Sequence, residues 1–146
     1  MEYVLQAFLD DIELAGNAHQ LRAVLAAVAV GLGLDSYAYM ALASSPSKRP
    51  KLISSYDIRW TDYYLGKRYE QRDPVIGRAL RDPKSFEWGP DTDWPGTSIW
   101  IRNFFHEAAS FGIHAGLTIP MGGWQGGHAA LTFAADCRSA VSLLGQ

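Results

Sequence analysis

Apolar residues in the first part of the chain recur at helical spacing. Between residues 3 and 15, and again between 19 and 32, they lie three or four positions apart. Side chains return to the same face of an α-helix about every 3.6 residues, so both stretches predict amphipathic helices. Asn17 is a suitable N-cap for the second helix, and Gly31 and Gly33 favour its end.

Short runs rich in aromatic and aliphatic residues predict five strands. Residues 36–42 and 51–56 flank a polar loop that contains two prolines, and residues 116–121 and 127–134 flank a glycine-rich turn. Each pair therefore predicts an antiparallel hairpin. A fifth, short strand is expected at residues 85–88.

Three more helices are predicted between the two hairpins. Residues 60–70 carry an aromatic stripe, and residues 98–110 carry apolar side chains at helical spacing. Asp73 is a good N-cap and Pro74 suits a first helical position, so a short helix should begin there. The order of elements predicts an α+β fold: a three-layer α/β/α sandwich around a central, largely antiparallel sheet of about five strands.

Composition favours one globular domain over residues 1–146. The net charge is −2, from 13 basic and 15 acidic residues, without the basic excess that a DNA-binding surface needs. The single cysteine, Cys137, and an acidic N-terminus without a signal-peptide pattern favour the cytoplasm. The longest apolar run, at residues 23–34, is shorter than the roughly 20 residues of a membrane span.

Sequence motifs of the common enzyme classes are missing. The chain has no GxSxG, GxGxxG or Walker motif, and its four histidines do not have the spacing of a metal site. We therefore expect no catalytic residue, no metal and no cofactor.

Aromatic residues with polar tips cluster instead around a carboxylate in the middle of the chain. These residues are Tyr56, Trp60, Tyr64, Asp73 and Trp88. Tyr and Trp combine an apolar body with a donor that needs a partner when buried. Such a set favours a cavity that holds an apolar ligand at a few fixed polar points.

The spacing of these residues resembles a known family. The pattern Tyr56-x3-Trp60-x3-Tyr64-x8-Asp73-Pro74, then Trp88, then Gly116-x3-Pro120, resembles the autoinducer-binding domain of LuxR-type quorum-sensing transcriptional regulators, and the TraR branch in particular. The resemblance covers roughly residues 37–135. It implies an α/β/α sandwich that buries an N-acyl-homoserine lactone.

The resemblance also implies roles for individual residues. Trp60 would donate to the lactone carbonyl, Asp73 would accept the amide N–H of the ligand, and Tyr56 would bond the acyl carbonyl. Thr132 matches a position that contacts a 3-oxo group. Asp73 also suits a plain N-cap role.

Other positions are implied as pocket wall or support. Those expected to contact the ligand are Tyr64, Val75, Trp88, Phe104, Phe105 and Thr118. Pro74 would shape the site, and Gly116 would spare room beside the lactone.

Several expectations concern the whole protein. The chain ends at Gln146 without room for the helix-turn-helix of the full regulators, so we expect a sensor domain that does not bind DNA itself and that forms a homodimer, or a heterodimer with a full-length regulator. A truncated anti-activator and a GAF/PAS-like sensor of another small ligand are the alternatives. A lactone-processing enzyme has least support, because no nucleophile–base pair or metal cluster is evident.

Overall fold

The computed structural model describes residues 18–43, 45, 47–92, 94, 98–122 and 127–136. The helix predicted at residues 3–15 and its neighbour Asn17 lie outside this part of the chain. The described elements are α1 (Ala18–Leu32), β1 (Ser36–Ala41), β2 (Lys51–Ser54), α2 (Ile58–Gly66), a 3₁₀ turn (Tyr69–Gln71), α3 (Pro74–Arg81), β3 (Phe86–Trp88), α4 (Ile99–Ala109), β4 (Ala115–Gly122) and β5 (His128–Ala135).

The five strands form one sheet in the order β2-β1-β5-β4-β3, and every neighbouring pair is antiparallel. The predicted sheet is therefore confirmed in strand number and direction. Its register places Thr118 opposite Thr132, and Trp88 opposite Gly116.

Alternate residues of the strands face two different helix layers. Leu131 and Phe133 of β5 join a core cluster with Leu25 of α1. Ala130 and Ala134 of the same strand belong to a second cluster, together with residues of α2, α3 and α4. The sheet thus lies between α1 and the other three helices, which confirms the three-layer sandwich.

The helix predicted at residues 60–70 differs from the one observed. Asp57 caps the helix earlier, because its carboxylate accepts from the backbone N–H of Arg59 at 2.9 Å. Arg68 then adopts a left-handed conformation with φ of 56°, which ends the helical path. A 3₁₀ turn follows, and it leads the chain towards Asp73.

Two of the predicted helix starts are confirmed by cap bonds. The Asp73 carboxylate accepts from the Val75 N–H at 2.8 Å, with Pro74 in the first turn. The Ser98 hydroxyl accepts from the Ile101 N–H at 3.2 Å. Among the described residues, no helix is both long and apolar enough to cross a membrane.

Candidate ligand-binding pocket

A cavity lies between the sheet and the layer formed by α2, α3 and α4. The space inside it that admits the centre of a water molecule is about 70 Å³. Most of its lining is aliphatic or aromatic, with a few polar groups at fixed positions. This lining, mostly apolar with a few polar groups, is typical of small-molecule sites.

The structure brings most of the predicted contact residues to this cavity. Nine of them line it: Tyr56, Trp60, Tyr64, Asp73, Val75, Trp88, Phe104, Phe105 and Thr132. Thr118 is fully buried behind the lining, so it reaches the cavity only through Thr132. Pro74 and Gly116 support the wall and do not form part of it.

Asp73 is both a helix cap and a wall of the cavity. One carboxylate oxygen accepts from Val75, and the other accepts from the Tyr64 hydroxyl at 2.7 Å. A carboxylate has about four acceptor positions in all, so these two bonds leave capacity for a further donor.

Burial sets the ionisation of the polar groups around Asp73. It raises the pKa of Asp73 from 3.8 to about 6, although the bonds from Tyr64 and the backbone act in the opposite direction. Burial also raises the pKa of Tyr56 and Tyr64, and the negative charge of Asp73 raises both further. Both phenols are therefore neutral donors near pH 7.

Trp60 and Tyr56 keep donors that the protein does not use. Trp60 is only 3% exposed and packs against the rings of Tyr64, Phe104 and Phe111. Among the described residues, neither its indole N–H nor the Tyr56 hydroxyl has a hydrogen-bond partner, and neither is a fully buried unpaired atom. Both residues line the cavity, so both groups can donate to a molecule inside it.

A chain of bonds crosses three strands beside the cavity. The indole N–H of Trp88 donates to the Thr118 hydroxyl at 3.0 Å, and the hydroxyl oxygens of Thr118 and Thr132 are 2.7 Å apart. An indole can only donate. Thr118 accepts from Trp88, and in its bond with Thr132 either hydroxyl can be the donor. Thr132 also lines the cavity, so this chain of bonds reaches the cavity wall.

The room beside Gly116 is occupied by Trp88. A Cβ atom at position 116 would lie 2.5 Å from Cζ2 of the Trp88 ring. The glycine was expected to spare room for a lactone. In the structure its missing side chain admits the indole instead, and the indole forms the cavity wall.

Sequence reasoning missed several lining residues. Those not assigned to the site are Ala38, Met40, Leu52, Thr61, Ile76, Ala108 and Ile113. The sequence did hold a signal for the sheet side, because Ala38 and Met40 of β1 alternate with residues that face α1. Their inward direction became evident only once the pairing of β1 with β5 was known.

Among the described residues, no group of three His, Cys, Asp or Glu side chains could hold a metal ion. The polar side chains that line the cavity carry hydroxyl groups, indole N–H groups and one carboxylate. They can bind and orient a neutral polar head group.

The fold and the cavity define a class of protein, a small α/β/α domain with a buried ligand pocket. The model of the autoinducer binding domain family matches residues 17–143, so the chain belongs to that family. It is a quorum-sensing sensor domain.

Two relatives are transcriptional activators named TraR. The protein from Agrobacterium vitis is 31% identical over 143 residues, which cover 98% of this chain and 59% of that protein. The protein from Rhizobium radiobacter is 29% identical, over 93% of this chain and 57% of that protein. The chain thus spans less than two thirds of the length of these relatives.

Solved structures share the fold. The N-acylhomoserine-lactone-dependent LuxR family factor CepR2 from Burkholderia cenocepacia aligns with a TM-score of 0.76 and 23% identity, over 97% of this chain and 85% of that chain. Escherichia coli SdiA aligns with a TM-score of 0.70 and 19% identity, over 90% of this chain and 54% of that chain.

Proposed function

We propose that this domain senses an N-acyl-homoserine lactone by burying it in the cavity between the sheet and α2–α4. The observation that carries the proposal is the match between polar groups. The cavity offers the donor groups of Trp60, Tyr56 and Thr132, and remaining acceptor capacity at Asp73. A 3-oxo-acyl-homoserine lactone offers three carbonyl acceptors and one amide donor.

The roles that the family resemblance implies agree with this match. Asp73 accepts the amide N–H, and the indole of Trp60 donates to the lactone carbonyl. Tyr56, whose hydroxyl is close enough to Asp73 for the charge to raise its pKa, donates to the acyl carbonyl. An unpaired buried polar group costs roughly 1–3 kcal/mol, so these bonds fix the orientation of the head group.

Thr132 selects an acceptor on the acyl chain. If Trp88 donates to Thr118 and Thr118 donates to Thr132, the Thr132 proton is left for an acceptor on the ligand. A 3-oxo lactone should therefore bind more tightly than the unsubstituted lactone of equal length. Thr132→Val should remove that preference, because the variant has nearly the same shape and no donor.

The acyl chain lies against the apolar part of the lining. Each methylene that is buried adds at most about 0.8 kcal/mol, so chain length should dominate affinity until the cavity is filled. The lining residues Met40, Leu52 and Ala130 provide this surface.

Calorimetric titration with lactones of four to twelve acyl carbons tests the proposal. Wild-type protein should bind at least one of them, and Trp60→Phe should bind it about tenfold more weakly, since the lactone carbonyl loses its donor. Trp100→Phe is the matched control, because this indole on α4 does not line the cavity. No heat of binding for any lactone, or equal affinity for the Trp60 variant, would refute the proposal.

A further inference from the structure

Two arginines tie the segment before β2 to the end of α2. The guanidinium of Arg49 donates to the carbonyl oxygen of Leu65 at 2.7 Å, and that of Arg68 donates to the carbonyl oxygen of Lys48 at 3.0 Å. The two bonds run in opposite directions across the same gap. We name Lys48, Arg49, Leu65, Arg68 and Glu70 the arginine latch.

The latch has a buried anchor. The Nε atom of Arg68 donates to the Glu70 carboxylate at 2.6 Å, and the Glu70 side chain is only 5% exposed. Its second oxygen has no hydrogen-bond partner among the described residues. Burying a charge with an unsatisfied oxygen is unfavourable, so this arrangement is not explained by stability alone.

The backbone conformation of Arg68 is a second feature that stability alone does not explain. Its φ of 56° is left-handed, which is uncommon for a residue other than glycine. Outliers of this kind persist where the surroundings hold them, and they cluster at clamps and switch segments. Here the conformation places the guanidinium between Glu70 and the carbonyl of Lys48.

The latch lies beside the cavity, at the seam where strand β2 and helix α2 meet. Strand β2 is an edge of the sheet, and its Leu52 lines the cavity from the sheet side. Tyr64 lines it from the helix side. Arg49 is three residues from Leu52, and Leu65 is adjacent to Tyr64, so the latch bonds join the two layers beside their lining residues.

We propose that the arginine latch gates ligand entry and exit through the seam between β2 and α2. The inference rests on the proposed function, because it assumes that a ligand occupies this cavity. The arginine-to-carbonyl bonds are exposed to solvent, so they can break and re-form without unfolding the domain. The buried carboxylate of Glu70 holds the Arg68 guanidinium close to the carbonyl of Lys48, so that the bond between them can form again.

Stopped-flow tryptophan fluorescence with N-octanoyl-homoserine lactone tests the gate. Arg49→Ala, Arg68→Ala and the double variant should raise both the association and the dissociation rate about three- to tenfold, since each loses a charged hydrogen bond near the surface. The equilibrium Kd should change less than the rates, because the latch does not contact the ligand.

Arg22→Ala is the matched control. Arg22 also donates to a carbonyl of β2, that of Ser54 at 3.2 Å, but it does so from α1 on the opposite face of the sheet. Its removal should leave both rates unchanged. Rates of the double variant equal to those of wild type, or an equal acceleration in Arg22→Ala, would overturn the gate while leaving the proposed ligand intact.

Amide hydrogen exchange of the ligand-free protein separates the two proposals. The double variant should exchange several-fold faster than wild type in peptides covering residues 47–54 and 61–68, and β4 and β5 should be unaffected. If the wild type binds no lactone, this pattern still supports an opening seam and only the proposed ligand fails. Unchanged exchange at the seam would refute the latch.

Discussion

At the scale of one residue, Asp73 both caps a helix and lines the cavity. A carboxylate in an Asp-Pro step has an ordinary explanation as a helix cap, and the structure confirms that explanation. The cap bond uses one oxygen, and the other faces Tyr64 within the cavity lining. The two interpretations of Asp73 that the sequence left open are therefore compatible.

The raised pKa of Asp73 predicts a specific pH dependence of stability. The folded-state pKa of about 6 exceeds the ordinary 3.8, so between these values the folded state holds a proton that the unfolded chain has lost. Stability must then fall as pH rises from about 4 to 6, and it stays lower above pH 6. The pKa difference corresponds to roughly 2–3 kcal/mol.

Urea unfolding at pH 5 and pH 7.5 measures this effect. The wild type should lose more stability between these pH values than Asp73→Asn, which keeps an N-cap acceptor and does not titrate. The carboxylate of Asp57 does not interfere, because its pKa is lowered to about 2 and its contribution is lost only in more acidic solution. Equal losses for both proteins would contradict the raised pKa.

The sequence predicted which polar side chains line the cavity better than it predicted the hydrogen bonds between them. The identities of Trp60, Tyr56 and Asp73 as wall residues followed from spacing and resemblance. That Trp88 uses its donor on Thr118 did not, because the contact depends on how β3, β4 and β5 pair. Register is a long-range property, and a local pattern does not determine it.

At the scale of elements, β3 and β4 carry a close contact between a glycine and an indole. Gly116 lies opposite Trp88, and the ring fills the space that a Cβ would need. Gly116→Ala should therefore displace the indole and lower the free energy of unfolding by roughly 1–3 kcal/mol, as overpacking does.

Chemical denaturation checks this effect against a control in the same strand. A Cβ at Gly122 would have no heavy atom within 4 Å, so Gly122→Ala should change stability little. Gly116→Ala should also weaken lactone binding, since Trp88 and its bond to Thr118 move. Equal stability of the two variants would show that the wall tolerates the shift.

Local sequence predicted some helix boundaries and not others. The Asp73 and Ser98 caps were predictable because their side chains bond nearby backbone groups. The end of α2 at Gly66 was not, because it depends on the left-handed Arg68, which is held by Glu70 and by a carbonyl of the β1–β2 connection. The end of α2 is therefore set by contacts with residues distant in the chain, which outweigh local helix propensity.

At the scale of the whole molecule, the two faces of the sheet differ. Leu131 and Phe133 of β5 are fully buried against the α1 layer, whereas the small side chain of Ala130 lines the cavity. A ligand that binds only the folded state adds its binding free energy to stability, so binding and folding should be coupled.

A bound lactone should therefore raise the melting temperature. At a ligand concentration of 100 times Kd, mass action adds about 2.7 kcal/mol, which corresponds to a shift of roughly 5–10 °C for a domain of this size. Homoserine lactone without an acyl chain is the control ligand, and it should give little shift because it cannot fill the apolar lining. Equal shifts from both compounds would count against a buried acyl chain.

A crystal structure of the protein grown with N-octanoyl-homoserine lactone tests the central claim most directly. The head group should lie with its carbonyl at hydrogen-bond distance from the Trp60 indole nitrogen and its amide nitrogen at the same distance from the Asp73 carboxylate, with the acyl chain along Met40 and Ala130. A lactone bound elsewhere, or one whose head group contacts neither side chain, would contradict the account.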